Sequence, residues 1–226
     1  MVLTEIKKKL INKTIITPML TIDMLLRSVA EWNEARNANP EIKIDLHSED
    51  FSTAYLCGAD LGEVDLIGAD FCEASLNGAN LSDAKLGEAD FRDADLSGAE
   101  LIGTDLHHAY FNGAILNGAD MSGANLTDTD FSAACINGAD MSDTDLSRAD
   151  FHDASILGTY FMDSTLINVN FSEADLSGSD FNGANLTGSN FSGANLSGVI
   201  FDDADITGVD FTDAIGLSLP TDPGEE

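Results

Sequence analysis

From Leu46 to Phe211 every fifth residue is Leu, Ile, Met or Phe, without a gap, in 34 consecutive units. A short period held over such a length is the mark of a solenoid, whose units cannot bury their apolar side alone and must stack. All twelve phenylalanines obey this register and stand at positions ending in 1.

The other positions of the unit have rules of their own. Two residues before the center the side chain is small, as at Ala54, Ala59, Ala69 and Ala74, with Thr104, Ser179, Val64 and Val209 as variants and Glu49 as the gross exception. The residue just before the center is usually Asp or Asn, as at Asp60, Asp65 and Asn80. Two polar or turn-forming residues follow, as in Ser97-Gly98 and Asn117-Gly118. Alternate side chains of an extended segment face opposite sides, so the small and central residues point inward and the Asp or Asn between them points out. The turn pair then bends the chain. Neither a helix nor a plain strand gives a period of five.

A second period sets the circuit. Phenylalanine recurs every twenty residues from Phe51 to Phe211, and another column reads Leu61, Leu81, Leu101, Met121, Met141, Phe161, Phe181, Phe201. Gly58 and every twentieth residue through Gly198 is glycine. Four units therefore make one coil, and the run holds about eight and a half coils. The glycine corner is expected to need φ > 0. The other three corners accept Glu, Asp, His or Arg and are expected to use φ < 0.

The repeated A-(D/N)-(L/F)-x-x pattern resembles the pentapeptide repeat family over roughly residues 45 to 215. The resemblance implies an all-β solenoid, a right-handed quadrilateral parallel β-helix. The segment Trp32-Asn33 through Arg36, Asn39-Pro40 and Asp45-Leu46 is similar to the lead-in of many cyanobacterial members. Three parts are expected: a small N-terminal α-helical cap (1–44), the β-helix (45–215), and a C-terminal plug with a disordered acidic tail (216–226). Thr17-Pro18 should open a helix whose apolar face is Leu25, Leu26, Val29, Ala30 and Trp32, ending at Asn37 to Pro40. Leu3, Ile6, Leu10 and Ile11 point to a shorter helix before it, and Ile215, Leu217 and Leu219 to the plug. The helices are expected to lid the first coil; partner binding is their alternative use.

Charge divides unevenly. Residues 1–44 carry a net +2, residues 45–215 hold three basic against 32 acidic side chains, and the chain totals −30. Such a rod repels nucleic acid and anionic membrane surfaces, so neither direct nucleic-acid binding nor membrane association is expected. No apolar run reaches membrane-spanning length. Lys7, Lys8 and Lys9 lack the clean apolar stretch of a signal peptide after them. Three cysteines (Cys57, Cys72, Cys135) on different columns argue against a disulfide framework and for the cytoplasm.

An enzyme needs a concave site with converging groups, and the run from 46 to 211 has no loop insertion to build one. His47, His107, His108 and His152 have no metal-ligand spacing. No catalytic, metal or cofactor-binding residue is assigned. The expected function is a non-enzymatic rigid acidic scaffold or protein-interaction module with an unidentified protein partner, monomeric or dimeric through the C-terminal end. The candidate surface is apolar side chains at outward positions: Leu157, Tyr160, Met162 and Ile167 on the least acidic coil, and Ile102, Tyr110 and Ile115 on another. The alternative is a DNA mimic. Some members of the resembled family imitate duplex DNA and act on gyrase. A net −29 over a rod of about 41 Å is roughly one charge per 1.4 Å, against about one per 1.7 Å in the duplex. Against it, acidity comes with the repeat itself.

Overall fold

A computed structural model describes residues 20–218. From Asp45↔Asp65 to Asn195↔Ile215, each outward residue forms a parallel bridge with the residue twenty positions later. The circuit is thus twenty residues with four edges, and the four central columns fill its inside.

The five N–H groups of one unit explain the motif. Around Phe131, Asp130 N donates to Ala109 O of the preceding coil (3.1 Å), while Phe131 N and Ala133 N donate to Asp150 O (2.7 Å) and His152 O (2.9 Å) of the next. Ala134 N closes the turn onto Phe131 O at 3.0 Å. One donor is left, Ser132 N, and the Asp130 carboxylate accepts it at 2.9 Å. The coil ladder therefore satisfies three of five donors, the turn bond a fourth, and the outward Asp or Asn the fifth. Sixteen aspartates make this bond. Six asparagines make the same bond. The bond needs a carbonyl-type oxygen and not a charge. Asp130→Ala is expected to cost about 1 kcal/mol in urea denaturation, and Asp130→Asn close to nothing.

The corners differ from expectation. All 34 have φ > 0, sixteen at glycine and eighteen at other residues, among them Thr53 (φ 59), Glu63 (φ 58), His108 (φ 57) and Arg148 (φ 64). At 31 of the 34 the following N–H makes the turn bond, and with no positive φ at the preceding residue each corner has the sign pattern of a type II turn. One backbone bend must serve all four corners, because each coil has to stack in register on the next. Eight of the eighteen are Asp and one is Asn, the types that tolerate the left-handed region best. A β-branched residue is the worst choice there, so Thr53→Gly is expected to gain about 0.5–1 kcal/mol in the same assay.

The core is a continuous column. The central residues from Phe51 to Phe201 are 0–3% exposed. From Phe51 to Phe191 the rings of one edge stack at 4.7–5.0 Å, a spacing imposed by the rise between coils. Where phenylalanine enters a second edge at Phe161, its ring meets Phe151 edge-on at 6.2 Å and 90°, the other favoured aromatic geometry. Hydroxyls at the small inward position are buried but paired: Thr159 Oγ1 and Ser179 Oγ each donate to a carbonyl of the preceding coil at 2.6 Å.

Among the described residues two helices precede the coils, α1 (Ile22–Arg27) and α2 (Val29–Ala38). A single helix was the expectation. Ser28 divides it, with φ −161 and ψ 106, and its hydroxyl accepts Glu31 N as the N-cap of α2. Leu25, Trp32 and Ala35 are buried, whereas Leu26 and Ala30 of the expected face are exposed. The first coil has backbone groups pointing away from the second coil, which a preceding coil would have paired. Three are met by α2: Trp32 Nε1 donates to Asp60 O (2.7 Å), Asn33 Oδ1 accepts Asp60 N (2.9 Å), and Arg36 donates to Gly62 O (2.5 Å). One face of a helix turn thus replaces a rung of the ladder. At the other end Ile206 and Phe211 are half-buried, Ile215 is 60% exposed and Leu217 is 37% exposed. Thr17-Pro18, the earlier apolar residues, Leu219 and the tail lie outside the described residues.

Candidate functional site: an interaction surface

Among the described residues no group of His, Cys, Asp or Glu could hold a metal ion. A concavity of about 650 Å³ lies where the segment before the first coil meets the corners of Glu63 and Asp83, and its lining mixes Arg36, Lys43 and Lys85 with carboxylates. His107 sets its Nδ1 2.9 Å from Asp105. Its ring covers Gly87, where a Cβ would come within 2.3 Å of it, which explains that glycine. The three cysteines are free thiols.

The outward positions define four faces, each named by its column. The 32 acidic residues of the rod distribute as seven on the Asp45–Asp205 face, twelve on Asp50–Asp210, eleven on Asp60–Ile200 and two on Tyr55–Ile215. Each face is counted here with its central residues and the turn that follows. The last face reads Tyr55, Ser75, Asp95, Ile115, Cys135, Ser155, Asp175, Asn195, Ile215, and it has no basic residue. Where Cys135 and Ser155 cannot cap the turn, the preceding coil does so: Asn117 Oδ1 accepts Asn137 N (2.9 Å), and Asn137 Oδ1 accepts Leu157 N (2.8 Å). This face ends at the glycine corner, Gly58 through Gly198. For seven of those eight, a Cβ would have nothing within 4 Å.

The seven candidate residues are not gathered into one patch. Ile115 lies on the sparsely charged face and Leu157 in its glycine-corner turn. Tyr160, Met162 and Ile102 lie on the adjoining Asp60–Ile200 face, Tyr110 on Asp50–Asp210, and Ile167 at the far corner. Ile167 is half-buried; the other six are exposed. Two further residues belong with Ile115 and Leu157: Tyr55, 85% exposed, which sequence reading passed over, and Ile215 at the opposite end, which it assigned to the plug. Counting charge by face rather than by coil would have revealed them.

Electrostatics of the acidic faces is largely local. Hydrogen bonds from Ser52, Thr207 and Thr212 hold the carboxyls of Asp50, Asp205 and Asp210 below the ordinary range, and Arg92 and Arg148 do so for Asp90 and Asp128. A carboxyl more acidic in the folded than in the unfolded chain stabilises above its unfolded value, 3.8, and that contribution is lost as pH falls through the folded value. Near neutrality the opposing effect is self-repulsion. The melting temperature at pH 7 is therefore expected to rise with added salt, and acid unfolding to set in only below about pH 3.5.

A flat-sided rod with a continuous core, an acidic girdle and one almost uncharged face is a repeat scaffold in architecture. The pentapeptide repeats profile matches it in 8 copies, over residues 50–87, 74–113, 105–143, 144–183 and 179–215. The chain belongs to the pentapeptide repeat family. A trypsin-treated variant of QnrB1, a plasmid-mediated fluoroquinolone resistance protein, is 23% identical with a TM-score of 0.50, and the match covers 78% of this chain and 84% of that one. HetL, a pentapeptide repeat protein involved in heterocyst differentiation regulation from the cyanobacterium Nostoc sp. strain PCC 7120, is 25% identical with a TM-score of 0.46, covering 82% and 95%. Rfr23 from the cyanobacterium Cyanothece 51142 is 19% identical with a TM-score of 0.24, covering 76% and 84%. The likeness is one of fold. A search of curated proteins returned no match. Among the described residues no helix is long and apolar enough to cross a membrane.

Proposed function

We propose that the chain is a non-enzymatic, rigid, acidic scaffold that works by offering its Tyr55–Ile215 face to a protein partner. In this reading residues 1–44 are a cap, residues 45–215 form a right-handed rod of about eight and a half coils, and residues 216–226 close its end. The observation that carries it is the segregation of charge: two of 32 acidic residues on one face of four, with exposed Tyr55, Ile115, Leu157 and Ile215 along it. Apolar side chains on an otherwise charged surface are where partners dock. Free thiols support the cytoplasm as its compartment. The test is capture of a purified partner, once isolated, by wild type, by Ile115→Asp with Leu157→Asp, and by Tyr110→Asp on an acidic face. Loss in the first variant alone is expected; equal binding by all three would refute the reading.

One observation favors a DNA mimic, the charge density of the rod. Three acidic faces and one neutral face do not reproduce a helix charged on all sides, and most aspartates already have a structural use as turn caps. Micromolar protein is expected to leave gyrase supercoiling unaffected at low salt. Inhibition that fades as salt rises would reverse this preference.

A further inference from the structure

We propose that the partner of the sparsely charged face is a second copy of this chain, the two rods lying side by side through the Tyr55–Ile215 face and its glycine corner. The inference rests on the reading of that face as the working surface, and names its occupant. Two independent features carry it.

The first is the glycine corner. All eight of its residues are glycine, whereas eighteen of the other 26 corners bear a side chain. The fold gives no cause for the difference. The φ values of Gly58 to Gly198, 61 to 73, match those of Glu63, Glu73, Glu88 and Glu173, 57 to 62. The turn bond is the same: Ala119 N to Leu116 O at 3.0 Å across Gly118, and Ala74 N to Phe71 O at 2.9 Å across Glu73. Space is not limiting, because at seven of the eight an added Cβ meets nothing. A line of bare backbone that neither conformation nor packing demands leaves room for a surface outside the chain to come close.

The second is charge. A partner with basic groups would be drawn to the thirty carboxylates of the other three faces. A partner that settles on the neutral face is one those carboxylates repel, with a neutral face of its own. A second copy of a chain with net charge −30 meets both conditions. Nine rungs at about 4.8 Å, some 12 Å wide, give roughly 500 Å² a side, the size of a transient pair. Asp95 and Asp175, the two carboxylates on the face, are folded back onto Ser97 and Ser177 by bonds of 2.6–3.1 Å. Cys135 is the middle rung of the nine, so it meets its own copy whichever way the rods run.

Sedimentation equilibrium over a micromolar range tests this. Wild type is expected to dimerise in a concentration-dependent way. Gly138→Glu should be monomeric, with a melting curve lowered no more than that of Gly123→Glu, which carries the same φ > 0 strain. Gly123→Glu, at another open corner, should dimerise like wild type. Asp95→Asn with Asp175→Asn keeps both caps and should tighten the dimer about threefold. A chain whose only thiol is Cys135 (Cys57→Ser, Cys72→Ser) should cross-link through a short bismaleimide. A wild type monomeric throughout, equal effects of Gly138→Glu and Gly123→Glu, or a dimer lost only on changing Ile206 or Phe211 at the rod's end would overturn the proposal. If the chain stays monomeric while Ile115→Asp with Leu157→Asp still abolishes partner capture, the second copy is excluded and the working face stands.

Discussion

Replacing Phe131 by alanine is expected to cost about 4 kcal/mol in urea denaturation, among the largest effects a single substitution can have here. The ring is 0% exposed and stacks on Phe111 at 4.9 Å and Phe151 at 4.8 Å. Its loss leaves a cavity the neighbours cannot fill, because the coil ladder fixes the spacing on both sides. It also removes two aromatic contacts at once. Phe131→Leu, which copies the central residue used on other edges, should cost less than half as much. Because stability in a solenoid passes from unit to unit, the damage should appear as earlier opening of the coils around 131, read from amide exchange at Phe111, Phe151 and their turn partners. A cost under about 1.5 kcal/mol would place that ring outside a packed column.

Trp32→Ala is expected to cost roughly 3–5 kcal/mol and to fray the first coil. Trp32 is wholly buried, and its indole N–H pairs Asp60 O, a carbonyl that no coil reaches. Alanine removes the packing and the bond together. Trp32→Phe keeps most of the packing and should cost about 1–2 kcal/mol, the part due to the orphaned carbonyl. Exchange at Asp60, Leu61 and Val64 should quicken in both variants, while exchange beyond Phe151 stays near wild type. Uniform acceleration along the rod would mean that α2 stabilises the whole chain rather than its first coil.

The coil was legible because its determinants are local and repeated. Each center must be large and apolar, each small position must clear its neighbour, and each outward Asp or Asn must close one donor, so the same three rules recur down the chain. Corner conformation was not legible from residue types. Glutamate or arginine normally argues against φ > 0, but here the stacking of coils overrides the local preference at eighteen positions. The division of the helix at Ser28 was hidden for a related reason. Leu25, Val29 and Trp32 have helical spacing, yet serine can cap a new helix as readily as continue an old one. The candidate surface was half legible: Ile115 and Leu157 were read from the sequence, but a survey coil by coil averages four faces and conceals the neutral one.

The twenty-residue circuit, on which the caps, the column and the neutral face all depend, can be tested by paired cysteines in a background lacking Cys57, Cys72 and Cys135. Asp145 and Thr165 are bridged across adjacent coils, at a spacing of about 4.8 Å that lies within disulfide reach. Asp145→Cys with Thr165→Cys should form a disulfide on mild oxidation. Asp150→Cys with Thr165→Cys, one unit off register on a different face, should not. A disulfide in the second pair and none in the first would contradict a coil of four units.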